Sequence, residues 1–288
     1  MPAPTRWLVT GAGGQLGHDL QAHLLAAGAT VTAVTRAELD VTDAAAVDAV
    51  VAQARPDVVV NAAAYTAVDA AETDEDRALA VNGEGPRVLA AAAAGTGARL
   101  LHVSTDYVFD GTATSPYRPD SPTAPRSAYG RTKLAGEQAV REAYPDGGYV
   151  VRTAWVYGRH GKNFVATMAR LEAERDTLSV VDDQRGSPTW SRDLAAGLVE
   201  LGAADVPAGV FHATGAGDTT WCGFARAVFA ELGADPARVQ AITSDQYPVP
   251  APRPAYSVLS GEEWAAAGLT PLPDWRAALT RAEVASWR

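Results

Sequence analysis

The sequence has few of the residues that stabilise secreted or metal-binding proteins. Its 288 residues include one cysteine, Cys222, so no internal disulfide or cysteine-based metal cluster is expected. The five histidines do not have the spacing of metal ligands, and we predict no metal site from them. No secretory leader is recognisable, and the longest apolar runs are alanine-rich and far shorter than a membrane span. These absences predict a protein of the reducing cytoplasm that does not act in a membrane.

Positive charge is also scarce. The chain has 24 Lys and Arg against 34 Asp and Glu, a formal net charge of −10, and no basic run. Binding to nucleic acid or to an acidic membrane surface therefore lacks electrostatic support, and we expect neither. An anionic ligand would have to be held by backbone amides and single cations. The hydrophobic content of 47% is sufficient for one large α/β domain and a smaller lobe.

Short β-prone runs alternate with helical stretches from residue 5 to about 157. The runs cover residues 7–10, 29–35, 57–61, 99–105 and 149–157, and the helical stretches cover residues 15–27, 44–55, 75–95 and 128–144. This alternation predicts an α/β protein with a Rossmann-type, doubly wound parallel sheet. We expect residues 1–157 to form a dinucleotide-binding Rossmann domain. Residues 158–288 are expected to form mainly a smaller, discontinuous substrate-binding lobe, with elements that return to the Rossmann domain.

The later part of the chain has a sparser pattern. Helices are predicted at residues 163–175, 193–201 and 221–233 and strands at residues 178–181 and 210–213, before a part rich in proline and aromatic residues. In open parallel sheets, ligands bind outside the carboxyl ends of the strands. Gly11, Arg36, Asn61, Thr105 and Trp155 all fall at or after such ends, so one edge of the sheet is predicted to collect the whole site.

The first β-prone run leads into a glycine-rich turn and then into a helical pattern. Gly11, Gly14 and Gly17 recur every three residues. The first glycine permits a tight turn, the second lets backbone amides approach a diphosphate, and the third allows close packing of helix on strand. The diphosphate then lies at the helix N-terminus, where free amides and the helix dipole favour an anion. This order predicts a dinucleotide cofactor.

The residue that would contact the adenosine ribose is predicted to be Arg36, which lies about 20 residues beyond the glycine turn. A guanidinium suits a 2′-phosphate, so NADPH is the preferred cofactor. Glu38 and Asp40 keep NADH open, with Arg36 as a solvated loop cation. The small side chains of Ala62, Ala63 and Ala64 after the third strand would let the backbone approach a flat nucleotide, or would simply pack against the sheet.

Thr105, Tyr129 and Lys133 together can transfer a proton to a carbonyl group. Tyr129 and Lys133 are four residues apart, so they share one face of a helix. An ammonium group beside a phenol favours the phenolate and is predicted to lower the pKa of Tyr129 from about 10. Thr105 ends a β-prone run, where its hydroxyl and that of Tyr129 could both bind a substrate carbonyl oxygen.

Five segments resemble one enzyme family along nearly the whole chain. They are residues 60–69 (VNAAAYTAVD), 104–109 (STDYVF), 129–137 (YGRTKLAGE), 152–157 (RTAWVY) and 183–189 (DQRGSPT). The glycine turn and the Tyr-x-x-x-Lys pair resemble the extended short-chain dehydrogenase/reductase superfamily, and the five segments resemble dTDP-4-dehydrorhamnose reductases. The resemblance implies NAD(P)H-dependent reduction of the C4 keto group of dTDP-4-dehydro-L-rhamnose to dTDP-L-rhamnose.

The resemblance also implies roles for individual residues. Tyr129 would donate the proton, Lys133 would be its partner and bind the cofactor ribose, and Thr105 would lower the pKa of the phenol. The residues implied to touch the sugar are Thr105, Asp106, Tyr129 and Trp155. The residues implied to line the cofactor are Gly14, Gln15, Leu16, Asp40, Val41, Ala64, Tyr65 and Thr66. Some relatives carry a structural Mg²⁺ at a homodimer interface, and no residue here marks where that ion would lie.

Several residues have a second interpretation. Trp155 is either a wall for the sugar or ordinary packing at a strand end. Asn163 is predicted to be a helix N-cap rather than a ligand. Arg253 either meets the substrate diphosphate or is a surface cation. His102 is predicted to be a core residue of its strand.

Two alternative functions stay open at this point. A sister reductase acting on another dTDP-4-keto-6-deoxysugar for antibiotic glycosylation, such as a dihydrostreptose-type enzyme, would have the same catalytic residues. A non-catalytic regulatory subunit on the same fold would not need them, so the intact Tyr129 and Lys133 pair argues against it.

Overall fold

The computed structural model describes residues 5–287, which contain one large sheet and three two-stranded ones. The strands are β1 (Arg6–Thr10), β2 (Thr30–Val34), β3 (Val58–Asn61), β4 (Arg99–Thr105), β5 (Gly148–Thr153), β6 (Val156–Tyr157), β7 (Leu178–Val181), β8 (Arg185–Gly186), β9 (Thr189–Trp190), β10 (Val210–His212), β11 (Thr219–Thr220) and β12 (Val239–Ile242). The large sheet has the order β10-β5-β4-β3-β1-β2, and all of its pairs are parallel. The predicted doubly wound parallel sheet is confirmed.

Eleven α-helices are present in the described part of the chain. They are α1 (Gln15–Ala26), α2 (Ala44–Ala54), α3 (Val68–Ala71), α4 (Glu75–Leu79), α5 (Gly85–Thr96), α6 (Ala128–Ala143), α7 (Phe164–Glu174), α8 (Ser191–Ala203), α9 (Trp221–Glu231), α10 (Glu262–Ala266) and α11 (Trp275–Arg281). Asn163 accepts a hydrogen bond from Ala166 N at 2.9 Å, so the predicted N-cap of α7 is confirmed. None of the helices within residues 5–287 has the length and apolarity needed to cross a bilayer.

The register of the parallel strands brings their carboxyl ends to one edge of the sheet. Thr10 at the end of β1 pairs with Asn61 at the end of β3, and Asn61 pairs with His102 in β4. Further along β4, Thr105 pairs with Thr153 at the end of β5. The turns and loops that follow these strands therefore lie side by side, as predicted.

Both faces of the sheet are covered by apolar helices. On one face, Leu20 of α1 and Leu198 of α8 are fully buried against the sheet, and on the other face Val47 of α2 and Leu89 of α5 are. Each strand is therefore apolar on both sides, which is usual for parallel sheets.

The strand predicted at residues 149–157 is wrong as a single element. It ends at Thr153, and a separate strand β6 begins at Val156 and pairs with β9 outside the large sheet. Between them, Trp155 has a φ of 49°. This left-handed backbone conformation lies outside the β region, so the strand is interrupted there.

The helical stretch predicted at residues 75–95 is confirmed, and its middle has a wider turn that was not predicted. Helices α4 and α5 are joined by a π-helical turn, Ala80–Glu84. Within the turn, the side chain of Asn82 accepts from Tyr65 N at 2.8 Å and donates to Tyr65 O at 3.1 Å. The wider turn thus holds the loop that follows β3, which a regular helix pattern does not reveal.

Part of the chain beyond residue 158 has its own core. Strands β7 and β12 pair in parallel, and Val165 of α7, Phe224 of α9 and Leu279 of α11 are buried together near them. Other elements of the same part, α8 and β10, pack on or extend the large sheet. The domain boundary at residue 157 stays a prediction.

Candidate active site

In the glycine-rich turn between β1 and α1, Gly11 and Gly17 have no space for a side chain. Gly11 has a φ of +71°, and a Cβ there would lie 2.6 Å from backbone atoms of Ala62 and Ala63. Gly14 is the N-cap of α1 and offers no side-chain cap, and Gly17 is buried against the turn. The first amides of α1 are therefore open to an anionic group, as the sequence predicted.

A cavity of about 420 Å³ opens beside this turn. The predicted cofactor residues that line it are Gly11, Gly14, Arg36, Asp40, Val41, Ala62, Ala63, Ala64 and Tyr65. Gln15, Leu16 and Gly17 form the start of α1 next to it, and Thr66 lies on the exposed loop that follows Tyr65. The structure therefore brings the predicted cofactor residues to one cleft, and their contacts with a cofactor stay predictions.

Arg36 and the acidic residues near it differ in what they bind. The Glu38 carboxylate accepts from Thr35 N and Thr35 Oγ1, both at 2.8 Å, and these bonds lower the pKa of Glu38. The Asp40 carboxylate likewise accepts from Thr42 N at 3.0 Å and Thr42 Oγ1 at 2.8 Å. Arg36 is exposed and has no ion pair with any residue from 5 to 287. The carboxylates of Glu38 and Asp40 thus stabilise local turns, whereas the guanidinium of Arg36 is available to a ligand.

Thr105 and Tyr129 meet at the carboxyl edge of the sheet. Thr105 is the last residue of β4, and its hydroxyl donates to Asp106 Oδ1 at 2.9 Å. Tyr129 lies in the first turn of α6, which Ser127 caps by accepting from Gly130 N at 3.1 Å. The Thr105 hydroxyl lies near that of Tyr129 and lowers its pKa. The predicted pair therefore lies together at this edge of the sheet.

The predicted effect of Lys133 on the phenol is wrong in this structure. Burial raises the pKa of Tyr129 to about 12, although the nearby hydroxyl of Thr105 opposes this rise. The ammonium group does not act on the phenol because Lys133 Nζ donates to Val103 O at 2.6 Å instead. Tyr129 is therefore a protonated phenol at neutral pH.

Lys133 is buried and has a second polar neighbour. Its Nζ lies 3.4 Å from Nε2 of His102, which is fully buried in β4 as predicted for a core residue. Burial lowers the pKa of Lys133 to about 8, although the charge of Glu137 raises it. The lysine is therefore partly deprotonated at slightly alkaline pH.

A second cavity, of about 450 Å³, lies between Tyr107 and the part of the chain beyond residue 158. Its lining includes Asp69, Tyr107, Gln184, Trp221, Tyr247 and Arg253. The ring of Tyr107 packs edge-on against that of Tyr129, with centroids 5.6 Å apart. Asp106, next to Tyr107, is buried, and this burial raises the pKa of its carboxyl to about 6. Tyr129, through its contact with Tyr107, therefore adjoins this cavity.

Arg253 is held at the second cavity by an ion pair. Its Nη2 lies 2.8 Å from Asp69 Oδ2, and Asp69 Oδ1 accepts from Ala251 N at 3.2 Å. The side chain of Arg253 is 20% exposed. Arg253 is therefore a fixed, mostly buried cation rather than a solvated one, and its contact with a diphosphate stays a prediction.

Trp155 stacks on an aromatic residue from the later part of the chain. Its ring lies parallel to that of Trp221, with centroids 3.5 Å apart and an interplanar angle of 6°. Trp221 lines the second cavity, whereas Trp155 lies behind it. The stacking agrees with the interpretation of Trp155 as a packing residue at a strand end. Its contact with a sugar stays a prediction.

Within residues 5–287, no group of three or more His, Cys, Asp or Glu side chains is arranged to hold a metal ion. The Mg²⁺ that some relatives carry at a homodimer interface is therefore assigned no residues.

Sequence reasoning assigned no role to three residues that the structure places at the site. Asp69 and Tyr107 fall within the segments used for the family resemblance, so those segments could have indicated them. Trp221 has no such signal, because it comes from a part of the chain that packs against Trp155 only in three dimensions.

Comparison with known proteins agrees with this geometry. Residues 5–285 match the family described as RmlD substrate binding domain. The chain belongs to this family. Within it, a dTDP-4-dehydrorhamnose reductase of Streptomyces griseus is 59% identical over 283 residues, covering 97% of this chain and 93% of the relative. A dTDP-4-keto-6-deoxy-D-glucose reductase of Streptomyces niveus is 53% identical and covers 96% of each chain.

Solved structures of the family have the same fold. The crystal structure of dTDP-4-dehydrorhamnose reductase from Bacillus anthracis in complex with NADP is 37% identical, with a TM-score of 0.93 over 96% of this chain and 98% of that one. The predicted resemblance to an oxidoreductase family of the short-chain dehydrogenase type is confirmed.

Proposed function

We propose that the protein reduces the C4 keto group of dTDP-4-dehydro-L-rhamnose to the alcohol of dTDP-L-rhamnose with NADPH. The observation that supports this most is the neighbouring pair Thr105 and Tyr129 at the carboxyl edge of the sheet, in a chain 59% identical to a relative with that name. One cavity adjoins the glycine turn and the other adjoins Arg253 and Trp221. We assign the first to the cofactor and the second to the dTDP-sugar.

The residues of the first cavity fit a dinucleotide. At Gly11 and Gly14 the N-terminus of α1 is open, and such helix ends bind a diphosphate. The small side chains of the three alanines that follow β3 would let the backbone approach a flat ring of the cofactor; they are Ala62, Ala63 and Ala64. The hydride that reduces C4 is the chemistry that a bound nicotinamide cofactor supplies.

Tyr129 is proposed as the proton donor. Its raised pKa keeps the phenol protonated at neutral pH, so it can hydrogen-bond the C4 oxygen and give its proton as negative charge develops there. The Thr105 hydroxyl, which here donates to Asp106 Oδ1, would instead donate to this oxygen or to the phenolate that remains. Lys133, one helical turn away, is proposed to bind the cofactor ribose.

NADPH is proposed as the preferred cofactor. Arg36 is free to meet a 2′-phosphate, whereas the carboxylates of Glu38 and Asp40 already accept hydrogen bonds from Thr35 and Thr42. NADH remains the alternative if either carboxylate releases its turn to bind the ribose hydroxyls. We also propose that the protein is a homodimer, as the resemblance implies. The scarcity of cysteine leads us to propose that it acts in the cytoplasm.

The substrate contacts are proposed in the second cavity. Asp106 and Trp155, which do not line this cavity, are proposed to contact the sugar only as the resemblance implies, and Arg253, which does line it, would meet the diphosphate. Charged hydrogen bonds from a guanidinium suit phosphate oxygens.

Turnover with purified protein tests the proposal. dTDP-4-dehydro-L-rhamnose, generated in a coupled assay, should be reduced with stoichiometric loss of NADPH absorbance. In parallel, dTDP-4-keto-6-deoxy-D-glucose tests the substrate named for the Streptomyces niveus relative. A higher kcat/KM for the second sugar would replace the proposed substrate, and no turnover of either would favour the regulatory alternative.

A further inference from the structure

A chain of buried polar side chains connects the glycine turn with Lys133. Thr10 Oγ1 donates to Asn61 Oδ1 at 2.8 Å, Asn61 Nδ2 lies 3.1 Å from His102 Nδ1, and His102 Nε2 lies 3.4 Å from Lys133 Nζ. All four side chains belong to residues that are at most 2% exposed. Polar groups buried this deeply are costly unless their donors and acceptors match, so the direction of each hydrogen bond matters.

One backbone amide fixes the direction of the chain. Ala63 N donates to Asn61 Oδ1 at 3.2 Å. Because an amide N–H can only donate, the oxygen of Asn61 faces Ala63 and its NH₂ faces His102. His102 Nδ1 must therefore accept.

The proton of the His102 ring is consequently on Nε2. Burial, with the charge of Lys133, holds the pKa of His102 well below its ordinary value, so the ring is neutral and carries a single N–H. With Nδ1 as acceptor, that N–H is Nε2–H, which points towards Lys133 Nζ. An ammonium group offers this N–H no lone pair, whereas a neutral amine does.

We propose that His102 is a positioning residue of the active site, whose Nε2–H, directed by Asn61, holds the amine of Lys133 in place and favours its neutral form. The amine would accept from His102 while donating to Val103 O. This inference rests on the proposed function, in which Lys133 binds the cofactor ribose. It gives the reaction a dependence on pH that originates behind the active site.

The other charged groups near Lys133 do not account for a neutral amine. The titratable groups that contact α6 from neighbouring elements are Glu72, Glu75, His102, Asp106, Tyr107 and Arg152. Among residues of α6 itself, Glu137 raises the pKa of Lys133, and its carboxylate is paired with Arg152 at 2.7 Å. Besides burial, the N–H of His102 is therefore the contact that opposes the ammonium form.

The lysine content of the chain permits a direct measurement. Lys133 and Lys162 are the only lysines in the sequence, so protein labelled with ¹³C-lysine gives two Cε resonances, which a Lys133→Arg variant assigns. We expect Lys133 to titrate near pH 8, well below the ordinary lysine pKa of about 10.4, and exposed Lys162 serves as the internal comparison. A Lys133 midpoint equal to that of Lys162 would overturn the proposal.

Variants separate the effect of His102 from that of burial. His102→Asn keeps an acceptor for Asn61 but cannot reach Lys133, so the Lys133 midpoint should rise by about one pH unit. Asn61→Ala frees the ring to turn its unprotonated nitrogen to Lys133, so it should raise the midpoint as well. Leu101→Val truncates the opposite face of β4 and should leave the midpoint unchanged.

The outcomes distinguish a positioning role from a structural one. An unchanged midpoint in the folded His102→Asn or Asn61→Ala variant, or an equal rise in Leu101→Val, would refute the role of the N–H. The titration needs neither substrate nor cofactor, so its result does not depend on whether the proposed reductase activity is found. Where activity is found, the alkaline limb of NADPH binding should shift with the Lys133 midpoint.

Discussion

Glu137 and Arg152 form a two-point ion pair inside the protein. Arg152 Nε lies 2.9 Å from Glu137 Oε1 and Arg152 Nη2 lies 2.7 Å from Glu137 Oε2, with side chains only 4% and 3% exposed. Ser104 also donates to Glu137 Oε1, at 2.6 Å. Glu137 lies on α6 one turn beyond Lys133, and Arg152 lies on β5. The pair therefore links α6 to the strand beside β4. The helix that carries Tyr129 and Lys133, the residues proposed to act in the reaction, is therefore attached to the sheet by buried charge.

Removing one partner of this pair should be costly. We expect Glu137→Gln to lower the free energy of unfolding by about 3–5 kcal/mol, because the Arg152 charge stays buried without its counter-ion. Glu75→Gln is the matched control, since Glu75 pairs with Arg131 on the same helix at the surface, where about 1 kcal/mol or less is expected. Urea unfolding of both variants gives the comparison, and equal losses would contradict this account.

Tyr129→Phe should separate chemistry from binding. The ring and its edge contact with Tyr107 are kept, but the proton is lost, so kcat should fall by about 10²-fold or more while the Kd of NADPH stays close to wild type. Tyr144→Phe changes the residue just beyond the C-terminal end of α6 and should leave both kcat and the Kd of NADPH unchanged. Steady-state kinetics and fluorescence titration measure the two quantities. Near-normal turnover by Tyr129→Phe would mean that another group protonates the substrate.

Arg36→Ala should change cofactor preference. A charged hydrogen bond to the 2′-phosphate is worth about 1.5–3 kcal/mol, so kcat/KM for NADPH should fall by about 10- to 150-fold. NADH has no such phosphate and should be nearly unaffected. Arg141→Ala, an exposed arginine of α6 outside both cavities, controls for the loss of one charge. Equal losses for the two cofactors, or none for either, would rule out the assignment of Arg36.

Asp106 should make stability depend on pH. Its folded pKa of about 6 is above the unfolded value of about 3.9, so the folded state binds its proton more tightly. The resulting stabilisation is complete below about pH 4 and is lost as pH rises through 6. The free energy of unfolding of Asp106→Asn, relative to wild type, should therefore increase by about 2 kcal/mol between pH 4 and pH 7.5. A difference that does not vary with pH would show that the carboxyl titrates normally.

The features that the sequence predicted correctly depend on local spacing. Gly11, Gly14 and Gly17 are close in the chain, and Tyr129 and Lys133 share a helix face by their spacing alone. The carboxyl edge follows from the alternation of strands and helices. These features are fixed within a few turns of chain, so their geometry can be read from residue types and intervals.

The features that were wrong or missed depend on packing between distant segments. The direction of Lys133 Nζ is set by Val103 O and His102 on another element, and the pKa of Tyr129 by its burial. The break of the strand at Trp155 accompanies its stacking on Trp221. No interval in the sequence records these contacts.

The attachment of Asp69 to Ala251 and Arg253 has a consequence for protein synthesis. The cofactor cleft is lined by residues 11–81, and Thr105, Tyr129 and Lys133 follow soon after, so a growing chain can assemble them early. The partners of Asp69 leave the ribosome more than a hundred residues later. A nascent chain that stops before residue 251 therefore contains the whole nucleotide cleft but cannot close the wall of the second cavity, and that cavity is completed last.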